Sequence, residues 1–429
     1  MRYQPLSAKT YINHRRKLTD RMSDREMAIV SSNDILPTNS DGNMPFRQNS
    51  DLLYLSGVDQ EESILVIFPS AHTKAHREIL FLKETSPEIA IWEGEKLSKT
   101  QAQDLTGIES IMWVDSFETV LKTIMSEAET VLLPSNEHTR RSIETETREE
   151  RFSKWIREEY SLHTYGRLSP HMHRIRSIKS VEEIEQMQRA CKITEDGFRR
   201  ILKFTKPGVK EYEIQAEFMH EFLRQQSRGF AYEPIIASGF SACVLHYISN
   251  ENECKDGEVI LMDVACEYGN YASDMTRAIP VNGKFTSRQK DVYNAVLHVM
   301  KAAKELLKPG VFLADYHKKV GDLMEEQLIK LGLLTEEEVE NQNPSMPAYK
   351  KYFMHGTSHF IGLDVHDVGL WTEPLEAGMA FTVEPGIYIR EENLGIRLEN
   401  DIIITEDGFI DLMKDIPIEV DEIEELMKA

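Results

Sequence analysis

Residues 259–276 read VILMDVACEYGNYASDMT, two apolar runs around an EYGN tetrapeptide, and each run carries one carboxylate, Asp263 or Asp274. Folding the segment about Tyr268 and Gly269 sets the two acids opposite each other on an antiparallel ladder. Directly opposed side chains hold their Cβ atoms roughly 4.5–5.5 Å apart, where like charges destabilise the pairing. A cation between them removes that penalty. A slip of the turn still leaves both carboxylates in one neighbourhood, because side chains alternate with a period of two. The stretch AFTVEPGIYIREENLGIRLENDIIIT repeats the arrangement: folding about Glu391 and Glu392 sets Glu384 opposite Glu399. A lone strand Asp reads most simply as a solvated edge residue. Two mirrored pairs set among apolar residues do not.

Between the pairs lies YFMHGTSHFIGLDVHDVG, with His355, His359 and His366. A single histidine is usually a satisfied polar group, but imidazole is also the commonest nitrogen ligand of divalent metals. Four carboxylates and one imidazole suit a hard, oxygen-preferring ion such as Mn²⁺ better than thiolate-rich zinc. Four negative charges exceed what one divalent ion balances. Two ions sharing bridging carboxylates, with a hydroxide between them as nucleophile, satisfy both donor type and charge. Other hydrolase patterns fail: HEFLR at 220–224 lacks the second histidine of a zinc helix, and GFSAC at 239–243 is not a GxSxG elbow.

The elements that must position these residues fall into two regions. Up to about residue 160 the pattern alternates a helical AKTYINHRRKLTDRM, strands DLLYLSG, SILVIFP, EILFLKE and IMWVD, a helix FETVLKTIMSEA and a strand TVLLP. A charged stretch, SNEHTRRSIETETREERFSKWIREEY, leads to a boundary near residues 165–180. The second region opens on a helix with Ser180 as N-cap and Glu183 completing a capping box, stopped by Lys206-Pro207-Gly208. Helices and antiparallel hairpins then occur twice in the same order, as in a duplicated α/β unit.

With 429 residues the chain exceeds one ordinary core and suits two domains. Its formal charge of -22 argues against nucleic acid or an acidic membrane surface as partner. No apolar run reaches the length of a membrane span and the N-terminus has no hydrophobic signal region, so a cytoplasmic location is expected. Cys191, Cys243, Cys254 and Cys266 show no CxxC spacing and read as reduced, buried thiols.

DVACEYGNYASDMTR, HGTSHFIGLDVHDVG, VEPGIYI and GIRLENDIIIT, in this order, resemble the dinuclear-metal pita-bread peptidases, specifically the aminopeptidase P (Xaa-Pro aminopeptidase) family. NMPFRQNSDLLYLSGVDQEESILVIFP resembles the family's N-terminal domain, and IPIEVDEIEELMK its usual tail. The resemblance implies an α/β (α+β) chain: an N-terminal creatinase or RNase H-like domain over 1–172, then a pita-bread catalytic domain over 173–429 with a pseudo-twofold repeat. It makes Asp263, Asp274, His359, Glu384 and Glu399 the metal ligands, with Asp274 and Glu399 bridging. It gives Glu384 the hydroxide's proton, His246 and His366 substrate binding and stabilisation of the tetrahedral intermediate, and His355 a place in the proline pocket. Tyr388, on the same strand face as Glu384, is a further pocket candidate. Arg397, two residues before Glu399, can orient a ligand carboxylate. The implied cofactor is a pair of divalent ions, Mn first, with Zn or Co as alternatives. The implied substrates are peptides with N-terminal Xaa-Pro, and the implied assembly is a homo-oligomer, dimer or tetramer. Prolidase shares all five ligands and is the alternative; prolidases usually show HGLGH where this chain has HGTSH. Creatinase relatives lack the complete ligand set, as do non-catalytic ones.

Overall fold

The computed structural model describes residues 3–428. They form two compact units, Pro5–Arg176 and a second that starts at Ser177 and takes in the chain up to Gln4. In the first, β1 (Glu26–Ser31), β2 (Ile64–Ile67), β3 (Glu78–Leu82), β4 (Ser110–Trp113), β5 (Thr130–Leu133) and β6 (Thr164–Arg167) make one sheet in the order β4-β3-β2-β1-β5-β6. The β1–β2 and β2–β3 pairings are antiparallel and the others parallel. Met27, Ile29, Val66 and Val131 pack with Phe117, Leu121 and Ile124 of the helix Phe117–Met125, the cover that a sheet with parallel crossovers needs.

One expected strand is a helix. DLLYLSG lies in the helix Ser50–Ser56, where the Asn49 side chain accepts the Asp51 and Leu52 N–H groups and Gly57 ends the helix at φ 73°. All of Leu52–Ser56 is buried, so the run has no period that separates strand from helix, and the two caps decide.

The second unit repeats itself as the sequence leads one to expect. The helices Val181–Phe204 and Glu211–Arg224 precede β7 (Ile235–Ser238), β8 (Val259–Asp263), the short β9 (Glu267–Tyr268) and β10 (Tyr271–Ala272), and β11 (Thr276–Pro280). The helices Ser287–Leu306 and Leu313–Lys330 precede β12 (Ala380–Val383), β13 (Gly386–Ile389), β14 (Leu394–Arg397), β15 (Asn400–Ile404) and β16 (Phe409–Asp411). Each half has a three-stranded antiparallel sheet, β11-β8-β7 or β12-β15-β16. Ser180 and Glu183 form the expected capping box. One core runs through both halves, joining Phe198, Phe218, Ile260 and Met262 to Val296, Met300, Phe381 and Ile402.

The two acidic hairpins differ in register. Val383 pairs with Asn400 and Gly386 with Arg397, so the ladder on both sides keeps the register that sets Glu384 opposite Glu399. In the other hairpin Asp263 pairs with Thr276 and not with Asp274. Its turn is centred on Gly269 and Asn270, at φ 61° and 67°, between the paired Tyr268 and Tyr271. A tight turn with positive φ at both central residues suits Gly and Asn, whereas a bulky Tyr268 there would be strained. Moving the centre by one residue moves the partner of Asp263 by two, which preserves the side-chain face. Asp274 therefore sits in the link between β10 and β11, where its N–H donates to Asp401 Oδ2 at 3.0 Å.

Candidate metal centre

A carboxylate oxygen from each of Asp274 and Glu399 and a ring nitrogen of His359 lie within 4.8 Å of one another, all three residues buried. His359 Nε2 is 3.5 Å from Asp274 Oδ2 and 3.7 Å from Glu384 Oε1. Its Nδ1 is 2.9 Å from the Phe360 carbonyl oxygen. A carbonyl only accepts, so Nδ1 carries the hydrogen and Nε2 presents a lone pair to the carboxylates, the tautomer that ligation needs. The segment bearing His359 runs along β12: Thr382 N–H donates to His359 O at 3.0 Å and Glu384 N–H to Thr357 O at 2.8 Å. That pairing brings an imidazole and a carboxylate to one place.

Asp263, at the end of β8, accepts Arg397 Nη2 at 2.6 Å. The same guanidinium donates from Nη1 to the Tyr388 hydroxyl at 2.8 Å and from Nε to Thr276 Oγ1 at 3.1 Å. Thr276 in turn donates to Glu399 Oε2 at 2.6 Å. Tyr388 lies 2.7 Å from His355 Nε2, and His355 Nδ1 lies 2.8 Å from the Gly356 carbonyl and 3.6 Å from Glu384 Oε2. With the His355 hydrogen on Nδ1, the Tyr388 hydroxyl donates to Nε2. Arg397 thus connects Asp263 to Tyr388, His355 and, through Thr276, Glu399.

Burial pushes the Asp274 and Glu399 carboxyls well above the usual range, reinforced by the charge of Asp263 on Asp274 and of Asp274 on Glu399. Burial also pushes Glu384 up to about 7, against the pull of His359 and Arg397. Divalent cations neutralise such a cluster without requiring the acids to hold protons. Asp263 Oδ1 is buried with no hydrogen-bond partner, as is the Tyr232 hydroxyl, whose pKa rises through burial and the charges of Asp263, Asp274 and Glu399. An orphaned carboxylate oxygen among buried acids fits an oxygen-ligated divalent cation.

The remaining expected residues divide. The His366 ring packs edge to face on His359 with centroids 4.4 Å apart, and its residue is otherwise exposed. His246 stands on an exposed turn after the 3-10 segment Gly239–Cys243.

Residues 185–406 match the model of metallopeptidase family M24, and residues 11–133 that of the aminopeptidase P N-terminal domain. The Xaa-Pro aminopeptidase of Escherichia coli is 34% identical, over 99% of this chain and 98% of that one. The chain belongs to the Xaa-Pro aminopeptidases of family M24. It is a metallo-aminopeptidase, a hydrolase. Solved relatives agree: a Glu-to-Ala form of Escherichia coli aminopeptidase P in complex with substrate superposes with a TM-score of 0.89 at 32% identity, covering 99% of both chains. Pseudomonas aeruginosa aminopeptidase PepP gives 0.90 at 30% identity, again over 99% of both. A zinc-substituted form of the Escherichia coli enzyme has been solved with product.

Several residues of the site went unread in the sequence. Thr276 and Asp401 each lie two residues from a carboxylate ligand candidate, so the period of two that placed Arg397 could have found them. Tyr232 had no such cue. It sits in GFAYEPIIASG, before β7, where no periodicity points inward.

Proposed function

We propose that this Xaa-Pro aminopeptidase works with two divalent ions, manganese first, held by Asp263, Asp274, His359, Glu384 and Glu399, on peptides that continue beyond the proline. The observation that carries the reading is the His359 Nε2 lone pair, fixed by Nδ1–H and aimed at buried carboxylates beside an orphaned Asp263 oxygen. Oxygen-rich donors favour manganese, and the zinc-substituted relative supports a site that accepts more than one divalent ion. When bound, such a pair supplies a hydroxide nucleophile at neutral pH and polarises the scissile carbonyl.

The chain's own residues do the rest. Glu384, with Oε1 3.7 Å from His359 Nε2, is placed to take up the nucleophile's proton and pass it on. That proton suits the proline nitrogen, which has no N–H and must gain one to leave. His366 and His246 donate to the carbonyl oxygen as negative charge develops. Tyr388 and His355, joined at 2.7 Å, form one wall for the pyrrolidine ring. Arg397 fixes Asp263 and Tyr388 together. The acidic cluster holds the substrate's free amine, limiting cleavage to the first residue.

The test strips the enzyme of metal, returns Mn²⁺, and compares kcat/KM on Xaa-Pro dipeptides, Xaa-Pro-Yaa tripeptides and their Xaa-Ala-Yaa counterparts. Tripeptides should be cleaved fastest and the alanine peptides little. A dipeptide preferred tenfold or more, about 1.4 kcal/mol of transition-state preference, would establish a prolidase with the same metal chemistry.

A further inference from the structure

Between His359 and β12 the chain makes the loop Phe360–Asp367, which carries His366. Within the loop, Asp367 N–H donates to Phe360 O at 2.9 Å, and Gly362 N–H to Asp364 O at 3.1 Å. A distant side chain also closes it. Lys179 Nζ lies 2.8 Å from Asp367 Oδ2, with the two side chains only 3% and 1% exposed. Asp367 Oδ1 accepts the Val368 N–H at 2.9 Å, so both carboxylate oxygens are engaged. Lys179 is itself held at the backbone, its N–H donating to Gly378 O at 2.9 Å.

The lysine reaches Asp367 by crossing Gly362. A Cβ built on that glycine would overlap both Asp367 Oδ2 and Lys179 Nζ. The Gly362 carbonyl meanwhile accepts the Ala272 N–H at 2.7 Å, tying the loop to the strand that leads into Asp274. A buried ammonium, a buried carboxylate and a glycine that leaves room for them thus converge on the residue next to His366. Isolated buried charges are costly and buried pairs are weak evidence for stability, so a pair at this place calls for another reason.

We propose that Lys179 and Asp367 are positioning residues for His366: the ion pair, passing over Gly362, holds the loop so that the His366 ring stays edge to face on His359 and directed at the substrate. This rests on the role given to His366 above. Neither residue touches substrate; each acts through the loop. A loose loop would leave the metal ligands in place but spread the His366 ring over many orientations, so turnover should suffer and metal binding should not.

The test compares Lys179→Met, Gly362→Ala and His366→Ala, singly and with each of the first two combined with the third, on an Xaa-Pro-Yaa tripeptide with Mn²⁺, alongside metal content and hydrogen exchange over residues 360–368. Gly362→Ala leaves both charges in the chain and only displaces their contact, so it guards against misfolding caused by an orphaned Asp367. We expect each single variant to lower kcat at least tenfold with KM changed less than twofold, to keep its metal, and to exchange faster across the loop. In the His366→Ala background the same changes should cost less than a further twofold. Equal losses in both backgrounds, or loss of metal in step with activity, would overturn the inference and make the pair a general structural element. Full activity in both Lys179→Met and Gly362→Ala would overturn it too. If His366→Ala alone is fully active, the role given to His366 falls, and the inference with it.

Discussion

Arg397 and Asp263, 134 residues apart, meet at 2.6 Å through Nη2 and Oδ2, on the side of the carboxylate away from its orphaned Oδ1. One oxygen is held by the protein and the other is buried without a hydrogen-bond partner. That division of labour is what a metal-binding carboxylate requires of its surroundings.

Replacing Arg397 should therefore weaken the centre without removing any ligand candidate. Arg397→Gln is expected to lower metal affinity or activity about 10- to 100-fold, the range for losing such a support. Arg397→Lys should not rescue it. The guanidinium donates to three separate acceptors, Asp263, Tyr388 and Thr276, in a fork that one ammonium cannot copy. Metal titration followed by calorimetry, beside kcat/KM, checks this; a fully active Lys variant would show that charge alone suffices.

Asp274 has the opposite role. It lies with His359 and Glu399 inside 4.8 Å, and its N–H is held by Asp401. Asp274→Ala should abolish peptide cleavage and lower the metal retained after mild dialysis. In the wild type, chelation should remove activity and Mn²⁺ restore it. Metal content and turnover equal to wild type in the mutant would remove Asp274 from the centre.

Glu149, in the first unit, gives a separate pH prediction. Burial, with the charge of Asp51 adding to it, pushes its carboxyl up to about 7, while the Asn49 amide donates to its Oε1 at 2.5 Å. The folded chain then keeps a proton that the unfolded chain releases near the ordinary value of 4.5. Stability from this group is full below about 4.5 and is lost as pH rises through about 7. Glu149→Gln keeps the acceptor oxygen and removes the titration. It should be near neutral at pH 5 and stabilising at pH 8, by on the order of 1–2 kcal/mol after allowing for the group's partial exposure. Denaturant midpoints at the two pH values decide; the same difference from wild type at both would exclude Glu149 as the cause.

Some of the centre was legible in the sequence for a simple reason. Tyr388 and Arg397 sit on strands whose side chains alternate with a fixed period, Glu384 and Glu399 lie in the short links between those strands and the next, and the register of that hairpin follows from where its turn falls. Four acids in apolar runs could be proposed as parts of one site because burying unpaired charge is costly. The type of donor, oxygen and imidazole, was then a matter of composition, and the expectation of an oxygen-preferring ion rested on it.

Where the outcome hung on a choice between two local conformations, the sequence was not enough. The turn at Gly269 and Asn270 rather than one residue earlier depends on backbone angles, and it moved Asp274 off the position opposite Asp263. DLLYLSG became a helix because Asn49 and Gly57 capped it, against an apolar pattern that fits either state. Contacts between distant segments were beyond reach altogether. Lys179 meets Asp367 across 188 residues, and Tyr232 reaches the carboxylates from before β7. No period links such partners along the chain: Lys179 and Asp367 come from the two halves of the second unit, and the Tyr232 segment is brought beside the Asp263 strand by pairing of Ala231 with Ala265. Residue types and strand period determined which chemistry this protein could hold; the tertiary fold decided which atoms face each other, because side-chain contacts at that range depend on packing in three dimensions.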